Sequence, residues 1–102
     1  MARIVGIFES GDAVDGVVEQ LQINNVTEIT VLRPGDDRQA LSDQLRTLTV
    51  PDRQAAEYHT RLDNQRWLLF VQVSALELPT VQRALRSGQA LDIDLLPEPG
   101  VQ

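Results

Sequence analysis

Arg66-Trp67-Leu68-Leu69-Phe70-Val71-Gln72-Val73-Ser74 is the most strand-like stretch of the chain. It is nearly continuous in apolar and β-branched residues, as in a strand buried on both faces. Residues 3–9, Arg-Ile-Val-Gly-Ile-Phe-Glu, have the same character. Two other segments alternate instead. In 26–33, Ile29 and Val31 oppose Glu28 and Thr30; in 90–96, Leu91, Ile93 and Leu95 oppose Asp92 and Asp94. Alternation marks a half-buried strand. The continuous runs therefore belong at the centre of a sheet and the alternating runs at its edges.

Helical spacing fills the gaps. Ser10 offers an N-cap, and Val14, Val17, Val18 and Leu21 form the stripe of a helix over about 11–23. Asn24-Asn25 suits its C-terminal turn, since Asn tolerates left-handed φ. Leu41, Leu45 and Leu48 mark a helix over 38–48. Pro51 opens another, carrying Ala55, Ala56, Tyr58 and Leu62 to about 63. Ser74 and Glu77 form a capping box, although Pro79 delays the helix that follows; Leu78, Val81 and Leu85 are its stripe and Gly88 its C-cap.

The order is β-α-β, a helical insert over about 38–63, then β-α-β. It predicts an α+β fold, a ferredoxin-like split βαβ sandwich with a four-stranded antiparallel sheet. A small flavodoxin-like sheet would need more strands than the sequence offers. With 102 residues, the chain is read as one domain over 1–96 with a flexible tail, 97–102.

Composition excludes several classes of function. Nine basic residues against fifteen acidic ones give a net charge of −6, and the arginines are scattered. Such a surface repels phosphate backbones, so neither nucleic acid nor an anionic membrane is expected as partner. Every basic residue is Arg, which removes any Schiff-base or P-loop lysine. Cysteine is absent, and with it disulfides and thiolate metal sites. No apolar run approaches the roughly 18 residues of a membrane helix. The first strand follows Met1 almost directly, without a signal peptide, so the cytoplasm is the expected compartment.

The candidates for chemistry are few. His59 is the single histidine and has no evident carboxylate to orient it, so a catalytic role is not assigned. Asp36-Asp37 and Asp92/Asp94 are the acid pairs. A Pro-Gly turn explains the first and strand alternation the second, so no metal and no cofactor are expected. Ser10-Gly11 reads as an ordinary N-cap, not an anion cradle. Trp67 and Tyr58 are expected to pack against each other across the insert. Helices of a split βαβ sandwich cover one sheet face. On the other, Val5, Ile7, Leu68 and Phe70 should form a contiguous apolar patch, flanked by Thr30, Asp92 and Asp94. A second copy of the chain is the expected cover for this interface; the insert is the alternative.

Some stretches resemble a known family. Val5-Gly6-Ile7-Phe8-Glu9-Ser10 is similar to the opening of the general stress protein 17M-like, or heat-induced stress protein, domain family. Val50-Pro51, Ala55-Ala56-Glu57-Tyr58 and Arg61-Leu62, followed by Leu68-Leu69-Phe70-Val71, resemble its proline-led helix and next strand. His59 stands where that family has a second tyrosine, and Asn64-Gln65 where it has glycine. The resemblance implies a ferredoxin-like fold and a stress association, and no catalytic residues. The expected function is a small non-enzymatic, stress-associated interaction or self-association module, partnered by itself as a homodimer or by another protein. The alternatives are an ACT-like domain binding a small-molecule ligand, and a small dimeric ferredoxin-like enzyme using His59 as base.

Overall fold

A computed structural model describes residues 2–96. Eight elements follow in the expected order: β1 (Ala2–Phe8), α1 (Gly11–Ile23), β2 (Ile29–Leu32), α2 (Arg38–Thr47), α3 (Asp52–Asp63), β3 (Trp67–Val73), α4 (Leu78–Ser87) and β4 (Asp92–Leu96). The sheet order is β2-β3-β1-β4, with every neighbouring pair antiparallel. The continuous apolar runs are thus central and the alternating ones lie at the edges, as in a ferredoxin-like sandwich. The expected tail, 97–102, lies outside the described residues.

The edge strand β2 is shorter than the alternation implied. Val26 N–H turns back to the Leu21 carbonyl and Ile29 N–H bonds the Thr27 carbonyl, so the paired strand starts at Ile29, preceded only by a bond from Gln72 N–H to the Glu28 carbonyl at 3.0 Å. Ser74 and Glu77 do not form the expected capping box: the Ser74 hydroxyl donates to the Glu77 carboxylate at 3.0 Å, Glu77 itself is the N-cap, and α4 starts just after it with Pro79 in its first turn.

Each helix ends in the same way. Asn25, Thr49, Gln65 and Gln89 take φ near +60° just beyond the four C-caps. After each, an N–H reaches back to a carbonyl five residues earlier: Val26 to Leu21, Val50 to Leu45, Arg66 to Arg61 and Ala90 to Leu85. These are Schellman closures that satisfy otherwise orphaned carbonyls. Gly88 has an ordinary φ of −80°; its smallness matters because a Cβ there would lie 2.1 Å from Val17 Cγ2. Gln65 adopts left-handed φ without glycine's freedom. Gln65→Gly is therefore expected to raise stability by about 0.5 kcal/mol, the relief of the Cβ less the added unfolded-state entropy. Chemical denaturation showing a loss instead would refute the strain.

Helices cover both sheet faces. Ile4, Phe8, Leu69, Val71 and Val73 form one core with Val14, Val17 and Leu21 of α1 and Val81 and Leu85 of α4. Val5, Ile7, Leu68 and Phe70 form the other, with Leu41 and Leu45 of α2 and Tyr58 and Leu62 of α3. The insert is thus a third layer. It also buries Arg3, whose guanidinium donates to the Leu48 carbonyl and to Thr49 Oγ1 at 2.8 Å, closing the C-terminal end of α2.

Candidate functional site

Register places the expected sheet-face patch as read. Val5 pairs with Phe70 and Ile7 with Leu68; Thr30 lies beside Phe70, Asp94 beside Val5 and Asp92 beside Ile7. Its role is corrected. Val5, Ile7 and Leu68 are fully buried and Phe70 is 5% exposed within a single chain. The insert occupies the face where a second subunit was expected, because its leucine stripes and Tyr58 need the same apolar surface.

Tyr58 sets the seam between α3 and the sheet. Its ring meets Phe70 edge to face, with centroids 5.7 Å apart and planes at 88°. Its hydroxyl donates to Asp94 Oδ2 at 3.0 Å. Burial first, then the charge of Asp94, its hydrogen bond, and the charges of Glu57 and Asp92 push the phenol well above its ordinary pKa. One turn on, Arg61 donates to Asp92 Oδ2 at 3.0 Å. Asp92 and Asp94, expected only as the flank of the patch, therefore anchor α3. Trp67 does not meet Tyr58. Alternation puts it on the opposite face, against Gly11, where a Cβ would fall 2.8 Å from the ring, and the Arg33 guanidinium sits 6.0 Å from its centroid.

His59 lines a cleft of about 400 Å³ between α2 and α3, with Ser42, Arg46, Thr49 and Asp52. Its Nε2 lies 3.2 Å from Ser42 Oγ. The pair ties the two insert helices at a half-buried spot. His59→Ala should cost no more than about 1 kcal/mol, the usual net worth of one such bond. A loss of several kcal/mol on thermal unfolding would contradict this. Asp37 is the N-cap of α2, accepting from Ala40 N–H at 3.1 Å, and Ser10 caps α1 through Ala13 N–H. Among the described residues, no three His, Asp or Glu side chains gather as a metal site, and no helix is long and apolar enough to cross a membrane.

The edge strand β4 departs from the usual dressing of a sheet. Its acids lie on the α3 side and bond Tyr58 and Arg61, and Leu96 is buried on that same side, while Leu95 looks outward. Leu91, just before the strand, is 49% exposed and Leu95 54%. Both lie on the α1–α4 face, with half-buried Ile93 between them. The five residues from Asp92 to Leu96 pair continuously with β1, and among the described residues no strand pairs with their other side. Sequence reading placed Asp92 and Asp94 on the face of Val5 and Ile7, where they lie, but did not foresee that Tyr58 and Arg61 of α3 hold them there. The chain matches no protein-family model, and no curated protein is similar enough to count as a match.

Proposed function

We propose that this chain is a small, non-enzymatic interaction module of the cytoplasm that docks another protein through the β4 edge. One observation supports it above the others: a regular edge strand, paired on one side, flanked by leucines about half exposed. Edges of this kind recruit extended segments of partner chains. The stress association rests on the motif resemblance at Val5–Ser10 and Val50–Leu62. Docking through the sheet face is set aside, since the insert fills it.

A photo-reactive residue placed at Leu95 tests the reading in stressed cells of the source. A discrete heteromeric adduct, absent when the same residue replaces exposed Gly16 on α1, is the expected result. No adduct at Leu95 or Leu91 would overturn it.

A further inference from the structure

Building on the interaction-module reading, we propose that β4 accepts an antiparallel strand in which apolar and basic residues alternate, and that it rejects a second copy of itself.

The preference follows from what each face of β4 presents. A strand added to this edge sets its side chains opposite Leu91, Ile93 and Leu95 on one face and opposite Asp92 and Asp94 on the other. The first face asks for apolar residues. The second is electronegative: Asp92, Asp94 and Glu57 gather there against the one guanidinium of Arg61. After burial, the same three carboxylates also push the Tyr58 phenol upward. Basic residues in alternate positions answer it. Ala90–Leu96 contains no proline, glycine or lysine, and its ladder with β1 carries no bulge. Among the described residues the backbone is therefore open to pairing, unlike edges that are blunted by those devices.

Symmetry excludes the chain's own β4. Two copies side by side about a two-fold axis keep each face on its own side, so only residues of the same parity pair. Centred on Ile93, Asp92 meets the other copy's Asp94, twice. Centred on Asp94 or on Asp92, that residue meets its own counterpart. Every register that uses four or more residues of β4 thus brings carboxylates face to face, which is destabilising. The acids that anchor α3 also keep the edge from self-pairing.

Two capped peptides with the cores Leu-Arg-Val-Arg-Leu and Leu-Glu-Val-Glu-Leu test this on the full chain by amide-resolved NMR titration. The basic peptide should slow exchange of the amides in 91–96 and bind about tenfold more tightly than the acidic one, as expected for a few cross-strand charge pairs. That preference should shrink in about 0.5 M salt. Leu95→Asp, at an exposed position, should abolish binding without unfolding the protein. Equal binding of both peptides at β4 would overturn the charge assignment and leave the docking reading standing. Protection of 91–96 that rises with protein concentration in the absence of peptide would overturn the exclusion of a second copy. Silence of β4 toward both peptides, with no adduct at Leu95 in cells, would overturn the proposal and the module reading together.

Discussion

Phe70→Glu should unfold the protein. Phe70 lies in the middle of the sheet face roofed by α2 and α3, in edge-to-face contact with Tyr58 and almost wholly buried. Losing the ring costs about 3–5 kcal/mol, as for other buried aromatics. An unpaired carboxylate in its place adds several kcal/mol more, at the scale of an entire domain's stability of about 5–15 kcal/mol. Circular dichroism of the variant should show lost helix and strand signal. Leu95→Glu, the same charge at the exposed β4 edge, should remain folded. A folded and equally stable Phe70→Glu would mean that the insert does not cover this face.

Removing the Tyr58 side chain comes next in size. Tyr58→Ala deletes the ring against Phe70 and leaves Asp94 without its phenol, at a cost of about 3–5 kcal/mol. The same residue governs alkaline stability. Its folded-state pKa lies well above the ordinary value of 10.0, because of burial first and the neighbouring carboxylates second. Below that value both folded and unfolded chains keep the proton, and stability does not depend on this group. Above it the unfolded chain ionises while the folded one holds its proton, so stability falls with rising pH. The slope is about 1.4 kcal/mol per pH unit. The chain has one tyrosine, no lysine and no cysteine, so from about pH 10 to about pH 12 no other side chain titrates in this window. Denaturation midpoints should fall across that range in the natural chain and stay level in Tyr58→Phe. A level profile in both would show that the phenol is not held as the structure places it.

Local patterning carried most of the fold. Nearly continuous apolar runs at Ile4–Phe8 and Trp67–Val71 read as central strands because strands covered on both sides leave little room for polar side chains. That same feature already implied two covered faces. Reading the open face as a dimer surface overlooked it, since the leucine stripe of α2 and Tyr58 of α3 supply the second cover within one chain. The end of β2 was overread because a Schellman closure claims Val26, a pairing between backbone atoms that no side-chain pattern displays. Arg3 is charged yet buried, which residue type alone does not suggest, since its long stem crosses apolar surface to reach the carbonyl end of α2. The Tyr58–Asp94 and Arg61–Asp92 contacts join residues 36 and 31 positions apart, a separation that periodicity does not bridge. The β4 edge was visible as alternation; the partners of its acids, Tyr58 and Arg61, lie on α3 and were not.

Isotope-filtered NMR on an equimolar mixture of labelled and unlabelled chain tests most directly whether one chain covers its own sheet. Contacts between the Tyr58 and Phe70 rings should appear strongly within the labelled chain and be absent from the spectrum filtered for contacts between chains. Filtered contacts from Phe70, Val5 or Leu68 to any residue of another copy would contradict the account.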